Sequence, residues 1–200
     1  MKRTFLSIFV FAILLVGISS CTPQRQGDEG ESDTTAMGGE MEPMEEESMA
    51  SPSAVAQMEA KSGSNVSGTV TFTSVEAGIH LMVDLKGVSP GKHAIHLHEF
   101  GDCSAPDGTS AGGHWNPTSE AHGHISETDE FHFGDIGNLE VGEDSTVTYE
   151  TTIEIWNIGE DESANIVGKS VIVHAGEDDF TSQPTGNAGG RIACGVIQMQ

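Results

Sequence analysis

Seven side chains that can bind a transition metal follow one another in this 200-residue chain at spacings that favour a common site. Six of them are imidazoles and one is a carboxylate. They are His96, His98, His114, His122, His132, Asp135 and His174. Four histidines around one ion suit copper, whereas three histidines and one aspartate suit tetrahedral zinc. These two sets need eight ligands, so one histidine that uses both ring nitrogens would complete them.

Strands and loops must position these donors. His96 and His98 are two residues apart in a predicted strand, so their side chains project from the same face. The next four donors lie in a long segment without periodicity, at roughly 99–142, and His174 ends the apolar run K-S-V-I-V-H. Long loops within a compact domain are usually functional or disordered, and the ligand candidates favour the first of these.

The remaining three histidines are predicted to lie outside the cluster. His80 is expected at an outward strand position and His124 on the surface of the loop. His93 precedes the strand of His96, and we expect it to brace the backbone and not to bind metal.

Alternating apolar and polar runs predict an all-β domain. The runs are rich in β-branched residues and are separated by Gly, Ser, Pro and Asp. They lie at 54–59, 66–72, 79–85, 146–155, 170–174 and 192–199. Seven or eight short strands in about 145 residues fit an antiparallel sandwich or Greek-key barrel. Two irregular segments, at roughly 99–142 and 175–190, are predicted as its long loops.

The N-terminus is typical of an exported protein. Lys2 and Arg3 precede an apolar run at 5–18, which is too short to cross a bilayer comfortably. An uncleaved membrane anchor is the alternative. The string I-S-S-C resembles a bacterial lipobox, which implies cleavage before Cys21 and acylation of that cysteine. If Cys21 carries lipid, the other two cysteines can pair in an oxidising compartment.

Residues 21–52 are predicted to be a disordered tether. They hold nine carboxylates and show no apolar periodicity. Four methionines there (37, 41, 44 and 49) could capture Cu(I), although a plain spacer is the simpler interpretation. We therefore predict a signal peptide at 1–20, a tether at 21–52 and a folded domain at 53–200.

The overall charge argues against nucleic acid as a partner. The chain has 31 Asp and Glu against 8 Lys and Arg, whereas nucleic-acid binding needs a basic surface. Peripheral binding to anionic lipid is disfavoured for the same reason, so membrane attachment is expected through the acylated Cys21.

Five strings together resemble the copper/zinc superoxide dismutase family. They are H-A-I-H-L-H-E-F-G-D, A-G-G-H-W-N-P, H-F-G-D-I-G-N, V-I-V-H-A-G-E-D-D and G-N-A-G-G-R-I-A-C-G-V-I. The resemblance runs from about residue 54 to the C-terminus. It implies an eight-stranded antiparallel Greek-key β-barrel, an immunoglobulin-like sandwich with two long functional loops, and one copper and one zinc per subunit.

Carried over position by position, the resemblance implies a role for each donor. Those matching the copper ligands are His96, His98, His114 and His174. Those matching the zinc ligands are His114, His122, His132 and Asp135, which makes His114 the bridge. The resemblance also implies a Cys103–Cys194 disulfide, and Asp178 as the carboxylate that links a copper histidine to a zinc histidine. Arg191 matches the guanidinium that receives the anionic substrate.

The activity implied is dismutation of superoxide by a redox-active copper beside a structural zinc. His114 and Arg191 are the catalytic candidates. With the lipid anchor, this places the protein in the bacterial cell envelope, on a periplasmic or extracellular face, as a monomer or homodimer. Pro184 stands where a lysine often guides the anion in this family, so we expect slower capture of superoxide.

Two other functions are open at this point. The domain could buffer copper and zinc without catalysis, with the methionine-bearing tether as an auxiliary binder. It could also be an inert β-sandwich adhesin on a lipid anchor, but this explains neither the histidines nor Arg191.

Overall fold

Eight antiparallel strands form one nearly closed barrel in the computed structural model, which describes residues 51–159 and 162–200. The strands are β1 (Ser53–Ala60), β2 (Ser67–Val75), β3 (Gly78–Lys86), β4 (Gly91–His98), β5 (Asp135–Val141), β6 (Thr146–Ile153), β7 (Ser170–His174) and β8 (Arg191–Met199). Their order across the sheet is β5-β4-β7-β8-β1-β2-β3-β6. Since β3 pairs with β6 and β4 with β7, two connections cross over, as a Greek key requires.

The predicted all-β fold is confirmed. Each of the six alternating runs became a strand, because their branched side chains alternate between core and surface. In β1, for example, Ala54, Ala56 and Met58 are buried while the residues between them are more exposed. Among the described residues, the helical structure is a 3-10 turn at Thr109–Ala111. No helix in this part of the chain has the length and apolar character needed to cross a membrane.

The first irregular segment is shorter than predicted, because β5 lies within the range 99–142. Its sequence D-I-G-N-L-E-V contains aspartate, glycine and asparagine, which are all rare in strands. Ile136 and Leu139 are nevertheless buried in the core, and pairing with β4 supplies the backbone hydrogen bonds. Tertiary packing outweighs local propensity here.

Strands β4 and β7 are buried on both faces. Ile95, Leu97, Val171 and Val173 point into the barrel core. The last six residues of β4 and all five of β7 are buried, so the face of these strands that points away from the core is covered as well. Loop backbone approaches that face; the Ala94 N–H, for example, donates to the Gly176 carbonyl at 2.8 Å. The space between this wall and its loops contains the predicted ligands.

The predicted signal peptide and nearly all of the predicted tether, including Cys21 and the four methionines, lie outside the described residues. These assignments stay predictions.

Candidate metal centre

Two groups of four buried side chains bring their ligand atoms together, and within each group these atoms lie within 4.8 Å of one another. We call the first the four-histidine group: His96, His98, His114 and His174. We call the second the aspartate group: His114, His122, His132 and Asp135. His114 belongs to both, as the ligand count requires.

Strand irregularities place three of these residues. The register of β4 against β5 shifts between Ile95 and His96, and that of β7 against β8 shifts between Val173 and His174. Bulges of this kind re-aim a side chain and are common beside functional sites. His96 also pairs with Asp135, so the register brings the two groups side by side.

Oxygen acceptors fix the ring tautomers in the four-histidine group. Nδ1–H of His98 donates to the Gly112 carbonyl at 3.0 Å, and Nδ1–H of His174 donates to the Gly189 carbonyl at 3.2 Å. Nε2–H of His96 donates to Asp178 Oδ2 at 2.7 Å. A carbonyl or carboxylate can only accept, so the proton lies on these nitrogens and the opposite nitrogen carries the lone pair.

The nitrogens that carry those lone pairs are buried and have no hydrogen-bond partner. In the four-histidine group they are His96 Nδ1, His98 Nε2, His114 Nε2 and His174 Nε2. Leaving a buried acceptor unsatisfied costs about 1–3 kcal/mol, so four of them at one place need an explanation. A copper ion bound by four imidazoles would satisfy them all.

In the aspartate group, three imidazole nitrogens converge on one carboxylate. His114 Nδ1 is 2.9 Å from Asp135 Oδ1 and forms a hydrogen bond with it. His122 Nδ1 and His132 Nδ1 lie 2.9 and 3.4 Å from the carboxylate oxygens without the alignment of a hydrogen bond. Three imidazoles and one carboxylate at this spacing fit tetrahedral zinc.

The protonation of the four-histidine group favours metal binding. Burial lowers the pKa of His98 far below its usual range, and it lowers the pKa of His174 to about 3 and of His114 to about 4. Burial has this effect because it disfavours the charged imidazolium. These rings are therefore neutral at pH 7, as ligands must be.

The aspartate group has the opposite electrostatics. Burial lowers the pKa of His122, but Asp135 and Asp178 outweigh it and raise that pKa to about 9. Burial likewise raises the pKa of each carboxylate, yet the neighbouring histidines hold both pKa values well below the usual range. Without metal, this half of the site is a network of charges.

Asp178 joins the two groups. Its Oδ2 accepts from His96 Nε2 at 2.7 Å, and its Oδ1 accepts from His122 Nε2 at 2.9 Å. A carboxylate that holds the far nitrogen of a metal-binding histidine fixes both its tautomer and its ring orientation. The structure thus gives Asp178 the contacts that the sequence resemblance implied.

Arg191 lies at the edge of the four-histidine group. It begins β8 and pairs in register with His174. Its two terminal nitrogens donate to the carbonyls of Gly108 and Gly112, each at 2.6 Å. Burial lowers its pKa, but a guanidinium stays charged at any physiological pH. Its remaining N–H groups can bind an anion.

Residues 66–197 match the model of the family described as copper/zinc superoxide dismutase. The chain belongs to that family. A crystal structure of the clock protein EA4 is similar to it, with 32% identity and a TM-score of 0.67 over 76% of this chain and 96% of that one.

The disulfide implied by the sequence resemblance is present. Cys103 and Cys194 are bonded, and their Cα atoms lie 5.7 Å apart. The bond fastens the start of the loop between β4 and β5 to β8. Lys61, whose side chain is 9% exposed, donates from Nζ to the Cys103 carbonyl at 2.6 Å. Together these contacts hold the segment whose carbonyls orient Arg191.

The three histidines predicted to lie outside the cluster belong to neither of the two groups. His93 Nδ1 lies 2.8 Å from the His174 carbonyl oxygen, and its Nε2 lies 2.9 Å from the Ser89 carbonyl oxygen and 3.1 Å from Ser89 Oγ, so the ring braces a ligand's backbone. His80 is partly exposed on β3, with Glu150 at 3.8 Å. His124 lies on the loop and packs edge-on against Phe180.

Sequence reasoning missed several residues that support the centre. The carbonyls of Gly108, Gly112 and Gly189 act through the backbone, so no side chain reveals them. Asn138 and Gln183 hold loop backbone at the site through their side-chain amides. Asn138 lies in the string F-G-D-I-G-N, which is part of the family resemblance, so the sequence could have identified it. Gln183 lies in none of the five strings, so the sequence could not have identified it.

One surface cavity among the described residues lies away from these ligands. It measures about 590 Å³ and lies between the β2–β3 turn and residues 154–158. It contains none of the predicted ligands, and we assign the chemistry to the buried histidines because these have the unpaired nitrogen atoms.

Proposed function

We propose that this protein dismutes superoxide, converting two superoxide anions and two protons into dioxygen and hydrogen peroxide. In this proposal the four-histidine group binds copper and the aspartate group binds zinc, one of each per subunit. The observation that carries the proposal is the set of six buried imidazole nitrogens without hydrogen-bond partners, arranged in two groups that share His114. Membership of the copper/zinc superoxide dismutase family supports it.

When bound, copper would supply the one-electron oxidation and reduction of superoxide, and zinc would supply fixed positive charge without redox chemistry. The protein's own contribution begins with preorganisation. Oxygen acceptors set the tautomers of His96, His98 and His174, so the ligand nitrogens of these three rings need not rearrange. Since β4 and β7 belong to the barrel wall, these rings are also fixed in position.

Arg191 would bind the anion. Two of its N–H groups are held by the carbonyls of Gly108 and Gly112, which fixes the plane of the guanidinium. A guanidinium has five N–H groups, so donors remain for superoxide. This charge matters because the domain at 53–200 carries 22 carboxylates against five Lys or Arg.

His114 would hold the proton for the product. Its Nδ1 faces Asp135 and its Nε2 faces the other histidines of the four-histidine group. A proton taken up at Nε2 would lie among the other histidines of the four-histidine group, where it can be passed to the product. The residue would thus serve both as a bridge between the metal sites and as a proton carrier.

Buffering of copper and zinc without catalysis is the competing proposal. Arg191 argues against it, because an arginine fixed beside four metal-binding nitrogens would repel a cation and serves no purpose in storage.

We further propose that the protein acts in the bacterial cell envelope, anchored by lipid at Cys21. The string I-S-S-C and the preceding apolar run support this location. Mass spectrometry of the protein purified from membranes should find an acylated cysteine at the mature N-terminus, and a Cys21→Ser variant should be released in soluble form. A mature protein that begins at Met1 would contradict the lipid anchor.

The catalytic proposal is tested by loading the purified protein with both metals and measuring dismutation directly. We expect about one copper and one zinc per chain and rapid dismutation. His114→Ala should abolish most of this activity, by at least about 100-fold, since even partners of metal ligands are worth 10–100-fold. Copper bound at full occupancy without dismutation would instead favour buffering.

A further inference from the structure

The second loop, residues 175–190, contacts His122 at two separate points. Asp178 accepts from the His122 ring at 2.9 Å. Gln183 contacts the backbone of the same residue: its Oε1 accepts from the His122 N–H at 2.8 Å, and its Nε2 donates to the His122 carbonyl at 2.9 Å. One side-chain amide thus pairs with both backbone groups of one histidine, as a neighbouring strand would.

The turn that presents Gln183 is organised by its own hydrogen bonds. Asp179 Oδ1 accepts from the N–H groups of Thr181 and Ser182, at 3.0 and 2.7 Å. The N–H of Asp179 donates to the Gly186 carbonyl at 2.9 Å, and the Gly186 N–H donates to the Ser182 carbonyl at 2.7 Å. Gln183 therefore projects from a closed turn and not from a free loop.

Gly186 lets this turn lie directly over the site. Its φ is 60°, and any Cβ there would collide with the Asp178 carboxylate and the His122 ring. A side chain at this position would push the turn away, together with Gln183. The close approach of loop backbone to a site is a common use of glycine.

The two contacts with His122 are anchored independently. Asp178 is held by Asn138 of β5, which donates from Nδ2 to the Asp178 carbonyl at 3.0 Å and accepts the Asp178 N–H at 2.8 Å. These bonds do not involve Gln183. Loss of Gln183 would therefore release the His122 backbone while Asp178 remains in place for His96.

A surface cavity of about 500 Å³ adjoins this contact, lined by Ala121, His122, Thr128, Asp129, Glu130 and Gln183. An ion that leaves the aspartate group on this side would pass Gln183. Two carboxylates at the mouth would favour the passage of a cation.

We propose that Gln183 is a positioning residue: it latches the second loop onto His122 and thereby slows the escape of zinc. The proposal rests on the zinc site proposed above. His122 lies on a loop, so its backbone depends on such contacts, whereas the histidines on β4 and β7 are held by strand pairing. The latch should therefore act on zinc and leave copper unaffected.

The test compares Gln183→Leu, Gln183→Glu and the matched control Thr185→Val in the full metal-loaded chain. Leucine removes both hydrogen bonds, glutamate keeps only the acceptor, and the control alters a neighbour in the same loop. We expect zinc release to excess chelator to accelerate by about tenfold or more in Gln183→Leu, the range for residues that support metal ligands. Gln183→Glu should be intermediate, and Thr185→Val should match the unaltered protein. Copper release should stay within about twofold in all three.

A second measurement reports on the latch without metal. Hydrogen exchange of the His122 amide should accelerate in Gln183→Leu, because its acceptor is gone. Faster exchange with unchanged zinc release would overturn the proposal, and so would equal acceleration of zinc and copper release. If the unaltered protein binds no zinc at all, the proposed zinc site fails and the latch fails with it; the first two outcomes leave the zinc site intact.

Discussion

The four-histidine group and the aspartate group share His114 but are built on different structures. In the first, His96, His98 and His174 lie on strands of the barrel wall. In the second, His114, His122 and His132 lie on the loop between β4 and β5, and Asp135 alone begins a strand. The first group consists of imidazoles, whereas the second contains a carboxylate that is ionised over the physiological range.

Because of this difference, the proposed copper and zinc sites would be held by different means. The barrel and its oxygen acceptors hold His96, His98 and His174 in place, each with its proton on the nitrogen that faces the acceptor and the other nitrogen free. The aspartate group depends on loop contacts and on the balance between His122 and two carboxylates. Changes to loops or to pH should therefore act on zinc more than on copper.

The largest changes in metal content and activity should come from removing one ligand from each of the two groups, in separate variants. His98→Ala should lose dismutation by at least about 100-fold and bind copper weakly, while zinc is retained. His132→Ala should lose zinc and keep copper, because three strand histidines and His114 remain in place. Metal content per chain and activity, measured on both variants, check this. Loss of both metals from either variant would mean that the two groups are not independent.

Asp178→Asn tests the residue that joins the groups. Asparagine keeps one acceptor oxygen and presents an NH₂ group to the other imidazole N–H, so His96 or His122 must lose its bond. We expect the affinity for one metal to fall by about 10–100-fold. Chelator competition for each metal measures this, with Glu177→Gln, an exposed neighbour paired with Lys92, as the control. Unchanged affinity for both metals would show that Asp178 does not orient the ligands.

The pH dependence of metal binding should separate the groups further. His122 has its pKa raised to about 9 in the metal-free protein, so below that pH zinc must displace a proton. Zinc affinity should therefore rise about tenfold per pH unit from 7 to 9 and level off above. The pKa values of His174 and His114 are lowered to about 3 and 4, so those rings add no such slope for copper.

Titrating each metal alone into metal-free protein, at several pH values and against a competing chelator, measures the two slopes. Equal slopes for zinc and copper would contradict the electrostatic difference between the groups.

Salt should have the smallest effect. The acidic domain has Pro184 at the position where a lysine could guide superoxide, and the charge of Arg191 acts only at short range, so little long-range attraction is available for salt to screen. Between about 0.01 and 0.1 M salt the Debye length falls from about 30 to 10 Å, yet we expect the rate to fall less than about threefold. Thr181→Lys, which adds a charge to the exposed second loop, should increase both the rate and its salt dependence. A steep fall for the unaltered protein would reveal long-range steering.

The sequence allowed the ligands to be predicted because their side chains carry the chemistry. The pair His96 and His98 follows strand periodicity, and the strings around His114, Asp135 and His174 are specific to a family. The strand β5 could not be predicted from its composition, because Gly137 and Asn138 disfavour a strand until β4 pairs with it.

The supporting contacts were hidden for a different reason. The carbonyls of Gly108 and Gly112 orient Arg191, but any residue has a carbonyl. Gln183 lies 61 residues from His122, and only the folded loops bring its amide against that backbone. Contacts of this kind depend on the path of the chain and not on residue type.

The disulfide has a consequence for a chain that meets proteases. Cys103 and Cys194 are 91 residues apart, so their bond closes a covalent ring that contains β5 to β7 and five of the seven predicted ligands. The acidic stretch at 127–130 is exposed and offers a place to cut. A single cut there opens the ring and divides the chain into two fragments, which the disulfide still joins. Such a nicked protein would migrate as one species on a denaturing gel until a reductant separates the fragments.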